Sequence, residues 1–378
     1  MILHQSIVEQ TVDRDERDRF VKELIVVRLR SAGGDDVPLA MVRKRHAPVR
    51  GQDHALGGTL APVLLVHGYG QNRYAWHLPG RSFSNYLARA GFDVFNLDLR
   101  GHGRSRHLGA HRPTDITDYV REDVPAAIEE VQRITGGRPI YYLGHSMGGL
   151  IGYAAASSLG SALAGVATLG SPYHFARGSW PLMLVGSAIL AIDRRVPIGH
   201  HTPTLKPLGE AMRVLRAFVE SPVFPLPIRG FAAGSMEPTV LGQHMSLAMD
   251  SGSIVVLKNL FLAGVASRQS GHRLGGLSGY AGAFEGVDLP LLIIAGTLDD
   301  LAPPASVHPA YEHSRSRDKT YRTFPRGHID LLVGRDAPLT VWPLLEAWLR
   351  RRTRAAATQS EDRDGAHGAS CGPREPLG

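Results

Sequence analysis

The sequence predicts an α/β fold: a mostly parallel central sheet flanked by helices, with a helical cap inserted after the sixth strand. Three observations carry that expectation. Short continuous apolar runs, such as Pro62–Val66, alternate with amphipathic stretches, the pattern of strands buried on both faces and joined by helical crossovers. The alternation lapses between about residues 172 and 287, where apolar helical segments are separated by Pro and Gly, and then resumes. The 378 residues, 43% hydrophobic and 20% charged, suffice for one large core with an insertion rather than two equal domains.

Residues 1–19 are polar and charged and are expected to form a loose arm or a single helical turn. Residues 20–171 make the first part of the core. Strands at 20–30 and 39–45 meet through Gly33-Gly34-Asp35-Asp36, a hairpin signal. The buried strand Pro62–Val66 ends in His67-Gly68-Tyr69-Gly70. A helix at 83–90 stops at Gly91, and a strand at 92–97 leads into Asp98-Leu99-Arg100-Gly101-His102-Gly103. Thr117 or Asp118 caps the next helix, which ends at Gly136-Gly137, with Pro125 breaking one turn from the next. A strand at 140–143, a helix at 148–159 and a strand at Leu163–Leu169 complete this part.

The cap, 172–287, holds apolar helical segments at 182–192, 209–219 and 257–266. The second part of the core, 288–352, reads as a strand at 291–295, a helix near 305–313, a strand at 320–324 and a helix at 340–352. Residues 353–378 lack periodicity and are expected to be a disordered tail.

The net charge of +7 is almost all arginine, since five of the 42 basic residues are lysine. Apart from Arg43-Lys44-Arg45 and Arg350-Arg351-Arg352 the arginines are scattered, which argues against nucleic acid as a partner. Peripheral contact with an anionic lipid surface, made through the cap, fits the charge better. The single cysteine, Cys371, allows neither an internal disulfide nor a thiolate metal site. No His/Asp/Glu cluster has metal-ligand spacing and no Gly-rich turn reads as a phosphate cradle, so no metal and no cofactor is expected. Residues 1–10 lack the basic start of a secretory signal, and the longest apolar stretch is too short to span a bilayer, which together predict a cytoplasmic protein. Nothing in the sequence sets an oligomeric state.

The chemistry-bearing pattern is Gly144-His145-Ser146-Met147-Gly148, placed directly after one predicted strand and before a small-residue helix. A sharp strand-to-helix turn lifts a serine hydroxyl clear of the backbone, and Gly144 and Gly148 remove the side chains that would clash there. A hydroxyl is a weak nucleophile and needs a base. His328, in Phe324-Pro325-Arg326-Gly327-His328-Ile329, lies just past a predicted strand and is the candidate. The acid that orients it is expected after the preceding strand, in Ala295-Gly296-Thr297-Leu298-Asp299-Asp300. Asp299, three residues after Gly296, is the choice and Asp300 the alternative; either can also serve as a helix N-cap ahead of Pro303-Pro304. For a developing oxyanion, the Met147 backbone N–H is one donor and the Tyr69 N–H the expected second. His67, His102 and His145 are expected to brace their loops by hydrogen bonding.

The order of His67-Gly68, Ala90-Gly91-Phe92-Asp93-Val94, Gly144 to Gly148, Gly296 to Asp299 and Gly327-His328 resembles the α/β-hydrolase superfamily. Within it, residues 87–100, Asp123-Val124-Pro125-Ala126-Ala127-Ile128 and His328-Ile329-Asp330 followed by Gly334-Arg335-Asp336-Ala337-Pro338 are similar to the acid lipase and esterase group. The resemblance covers about residues 60–172 and 288–350 and fails across the cap. It implies a Ser-Asp-His triad that forms an acyl-enzyme and hydrolyses carboxylic esters. A cap rich in Leu, Val, Ile, Phe and Ala implies a small-molecule substrate with a medium or long acyl chain, or a lipid. Two alternatives stand beside this: acyl transfer, as in the more distantly similar polyhydroxyalkanoate synthases (which usually carry cysteine where this chain has Ser146), and a non-catalytic binding protein on the same fold.

Overall fold

The computed structural model describes residues 2–11, 17–47, 60–198, 201–215, 228–270 and 275–368. Among them nine strands form one sheet: β1 (Ile2–Thr11), β2 (Arg17–Arg30), β3 (Asp36–His46), β4 (Pro62–Val66), β5 (Asp93–Asp98), β6 (Ile140–His145), β7 (Leu163–Leu169), β8 (Leu291–Gly296) and β9 (Lys319–Phe324). Their order across the sheet is β1-β2-β3-β5-β4-β6-β7-β8-β9. The first four neighbours pair antiparallel, and every pair from β5 to β9 is parallel.

Alternation along the strands explains the layers. Leu64, Val66, Phe95, Leu97 and Tyr142 face one core with the helices Val124–Thr135 and Met147–Leu159. Their chain neighbours Val63, Leu65, Val94, Tyr141 and Leu143 face a second core with the helix Phe83–Arg89 and the start of Val341–Gly368. A strand buried on both sides has no polar face to show, which is why β4, β6 and β8 are apolar throughout or nearly so and buried at every residue.

Several expectations need correction. Residues 2–11 are not a loose arm: they form β1, antiparallel to β2 from Ile2↔Ile25 to Thr11↔Arg17. Residues 12–16 lie outside the described residues. The cap therefore follows the seventh strand, not the sixth. Residues 353–368, expected to be part of a disordered tail, instead continue the last helix, which runs from Val341 to Gly368; residues 369–378 lie outside the described residues. The helix expected near 305–313 is two short ones, Pro304–Val307 and Pro309–His313, since Pro309 has no N–H with which to continue the first.

Between β7 and β8 the chain is helical, with Trp180–Arg195, Lys206–Val214, Pro238–Gln243, Ile254–Ser270 and Ala281–Glu285. Part of the segment expected at 209–219 lies outside the described residues. Ala176, Leu182, Leu190 and Phe261 give this insertion a small core of its own. Carboxylates tie it to the loops at the carboxyl edge of the sheet. Asp250 accepts from Gly103 N at 2.8 Å and Asn72 Nδ2 at 3.1 Å and pairs with Arg106 at 2.8 Å. Asp330 accepts from Ala232 N and Ser235 Oγ, both at 2.7 Å. That edge is where open α/β sheets place their ligands.

Candidate active site

β6 passes into the helix Met147–Leu159 through Ser146, which has φ 53° and ψ −123°. A non-glycine residue with positive φ is strained by about 1–3 kcal/mol, and here the strain turns the side chain out of the sheet. The turn is also tight: a Cβ on Gly144 would strike the Gly148–Gly149 backbone, and one on Gly148 would strike the carbonyl oxygens of Val66 and His67. The two glycines are thus required by close approach, as the sequence pattern implies.

His328 and Asp299 come from the loops after β9 and β8. Their side chains meet at 2.7 Å, His328 Nδ1 to Asp299 Oδ2. The other carboxylate oxygen, Oδ1, accepts from Leu301 N at 2.9 Å and Ala302 N at 2.7 Å, so the acid is held in one orientation. Asp300, the alternative, points elsewhere: it accepts from Arg229 N at 2.6 Å and Gly230 N at 3.0 Å, in the middle of the insertion. Burial alone would depress the His328 pKa, but the charge and hydrogen bond of Asp299, with Asp300 and Asp330 adding to the field, hold it above the ordinary histidine value of 6.5. Burial pushes Asp330 up despite its bonds to Ala232, Ser235 and Gly327 N, the last at 2.9 Å.

Ser146 and His328 line one cavity of about 430 Å³. Tyr69 and Met147, the expected oxyanion donors, line it too. The loop after β4 runs against the serine, and a Cβ on Gly68 would lie 3.0 Å from the Ser146 Cβ. His67 fixes that loop. Leu99 N donates to its Nε2 at 3.2 Å, which puts the proton on Nδ1, where it is donated to Gly68 O at 2.9 Å. Gln71 Oε1 accepts from Gly68 N at 3.1 Å. His145 Nε2 donates to the His328 carbonyl at 3.2 Å, and burial keeps its imidazole neutral. His102 Nε2 lies 3.3 Å from the Tyr119 hydroxyl. All three make hydrogen-bonding contacts within or between loops.

The rest of the wall is mostly apolar, with Leu150, Phe175, Leu182, Leu205, Leu260 and Phe261 among its residues. Three polar residues that the sequence reading did not single out also line it: Gln71, Arg229 and His244, the last contributed by the insertion and almost wholly buried. No motif surrounds His244, so only its position in space singles it out. Among the described residues no three His, Cys, Asp or Glu side chains cluster as metal ligands do.

Comparison with known proteins agrees with the fold. A family model described as alpha/beta hydrolase fold matches residues 61–193. Lipase member M of Homo sapiens is 34% identical over 114 residues, 27% of this chain and 26% of its own length. A probable alcohol acetyltransferase of Saccharomyces cerevisiae is 35% identical over 118 residues, 30% of this chain and 31% of its own length. The chain thus spans about a third or less of the length of these curated relatives. Among solved structures, a soluble variant of monoglyceride lipase from Saccharomyces cerevisiae superposes with a TM-score of 0.58 at 18% identity, covering 90% of this chain and 97% of that one. The chain has an α/β-hydrolase fold and resembles lipases and esterases.

Proposed function

We propose that this α/β-hydrolase-fold chain is a carboxylic ester hydrolase acting on medium- or long-chain acyl esters through Ser146, His328 and Asp299. The observation that carries the reading is the 2.7 Å Asp299–His328 pair opening onto the same apolar cavity as the strained Ser146. In this reading His328 takes the Ser146 proton as the oxygen attacks the ester carbonyl, and the Tyr69 and Met147 N–H groups hold the oxyanion. The imidazolium then gives its proton to the leaving alcohol, leaving an acyl-serine. Water, deprotonated by His328, releases the acid and restores the hydroxyl.

The experiment is hydrolysis of p-nitrophenyl esters graded from short to long acyl chains. The apolar wall favours the longer members, and folded protein that cleaves none of them would overturn the reading. Transfer to an alcohol uses the same acyl-enzyme, and the yeast relative's name gives that second reading its support. Product analysis with added alcohol separates the two, because a transferase makes the new ester in preference to the free acid.

The raised His328 pKa has a sign that can be checked. The base works only when neutral, so kcat/KM is expected to fall as pH drops through a value above 6.5. A profile flat down to about pH 5 would contradict the assignment. The same shift means the Asp299–His328 pair adds stability below the unfolded histidine value, and that contribution is lost as pH rises through the folded one.

Contact with a lipid surface is the partner reading for the insertion. Trp180, Leu184, Val185 and Ile192 are exposed at helical spacing on Trp180–Arg195, with Arg194 and Arg195 exposed beside them. Among the described residues no helix is long and apolar enough to cross a membrane, so contact would be peripheral. The wild type is expected to sediment with phosphatidylglycerol vesicles more than with neutral ones, and Trp180→Ser with Leu184→Ser to abolish most of that binding. Equal recovery of both proteins in the supernatant would remove this reading.

A further inference from the structure

Gly68-Tyr69-Gly70, the stretch expected to supply the second oxyanion donor, lies between β4 and the short helical turn Arg73–Trp76. Its two glycines make one conformation costly to hold, so contacts from outside must fix it. Those contacts come from the insertion. Asp250 N donates to Gly70 O at 2.8 Å, and Asn72 N donates to Ala248 O at 3.0 Å. Asn72 Nδ2 also donates to Leu247 O at 2.9 Å. The Tyr69 side chain reaches into the insertion, where its hydroxyl donates to Ser253 O at 3.1 Å. Its ring lies so close to Gly252 that a Cβ there would fall 2.5 Å from the phenol oxygen. Residues 247–253 thus grip the loop on both sides of the Tyr69 N–H.

Asp250 is the centre of the grip. It is 1% exposed, and both carboxylate oxygens are bonded. Oδ2 accepts from Gly103 N at 2.8 Å and Asn72 Nδ2 at 3.1 Å, while Oδ1 accepts from Ser251 N at 2.7 Å and pairs with Arg106 at 2.8 Å. Its carbonyl accepts from Leu205 N at 2.9 Å, and Leu205 packs on Gly70, where a Cβ would lie 2.4 Å from Leu205 Cδ1. Burying a carboxylate is costly, and an apolar residue could join two packed surfaces without that cost. What the carboxylate adds is register: bonds to Asn72 on one loop and to Gly103 and Arg106 on the next allow residues 247–253 a single position over the serine turn.

We propose that residues 247–253, locked by Asp250, position the Tyr69 N–H for the oxyanion, and that Asp250 is therefore a positioning residue for ester hydrolysis. The inference rests on the ester-hydrolase reading, with the Tyr69 N–H as second donor. Asp250 touches no reacting atom. Because the oxyanion exists only in the transition state and the tetrahedral intermediate, loosening the loop lowers kcat and leaves KM nearly unchanged.

The test measures p-nitrophenyl decanoate turnover per active site, counted by fluorophosphonate titration, so that a smaller folded fraction does not register. Tyr69→Phe removes only the bond to Ser253 O. Asp250→Asn sets an NH₂ against donors whichever way the amide turns. In both, kcat is expected to fall about tenfold with KM within about twofold of the wild type. The second readout is inhibition by 1,1,1-trifluorododecan-2-one. Ser146 Oγ adds to its carbonyl carbon, the serine proton passes to His328, and the former carbonyl oxygen becomes an anion in the hole. Its Ki is expected to rise by the same factor as kcat falls, which a merely structural role would not produce. Should Asp250→Asn fail to fold, Asn72→Ser cuts the link from Asp250 to the loop with the Arg106 pair intact, and the same outcomes apply. Folded variants with kcat per active site and Ki both within about twofold of the wild type overturn the inference and leave the hydrolase reading standing. Wild-type protein that neither cleaves the ester nor binds the ketone overturns the hydrolase reading, and this inference with it.

Discussion

Ser146→Ala is expected to lower ester turnover by about five to six orders of magnitude, with the fold intact. In the proposed mechanism the Ser146 oxygen forms the acyl bond, so its removal leaves only binding and oxyanion stabilisation, which together retain about 10³–10⁴ over water. The fold should survive because the substitution removes one oxygen and leaves the backbone at φ 53°, where alanine is no better placed than serine. The elbow is held by other contacts, among them Ser146 N to Leu169 O at 2.9 Å and the close approach of Gly148 to β4. Initial rates on a p-nitrophenyl ester, read beside thermal melting, check both halves. A loss of tenfold or less with an unchanged melting temperature would place the nucleophile elsewhere.

Asp299→Asn is expected to lower turnover by about 10⁴. The cause is a tautomer. Asp299 Oδ1 receives the Leu301 and Ala302 N–H groups, so an asparagine there would keep its carbonyl oxygen on those donors and turn its NH₂ toward His328 Nδ1. That Nδ1 must then accept, which moves the ring proton to Nε2, the nitrogen that has to take the serine proton. Asp300→Asn keeps an acceptor for Arg229 N and Gly230 N and should cost about 1 kcal/mol of stability with less than tenfold in turnover. Measuring kcat for both variants decides between adjacent carboxylates that the sequence left open. A larger loss in Asp300→Asn would reverse the assignment.

That ambiguity shows where sequence reading stops. The strands of the parallel sheet were legible because burial on both faces leaves an apolar run with few polar interruptions, as in Pro62-Val63-Leu64-Leu65-Val66. The Ser146 turn was legible because close backbone approach admits only glycine at 144 and 148. Which of Asp299 and Asp300 faces His328 depends on a turn set by Leu301 and Ala302 N–H groups, and no residue type records it. β1 was missed because its His, Gln, Ser and Glu residues read as a solvated arm, although β2 supplies a long partner. The last helix continues past Arg354, where Ala, Arg, Gln and Glu stand without an apolar stripe that would have signalled it. The carboxylates that anchor the insertion, Asp250 within it and Asp300 and Asp330 from the core loops, satisfy backbone donors far along the chain, a tertiary role with no periodic signature.

The most direct test of the account is the site of covalent capture by a fluorophosphonate, which phosphonylates an activated serine hydroxyl and leaves ordinary ones alone. Intact mass should rise by one adduct, peptide mapping should place it on Ser146, and Asp299→Asn should slow its formation in step with turnover. A folded protein that takes no adduct, or takes it on another residue, would contradict Ser146 as the nucleophile and the ester-hydrolase reading built on it.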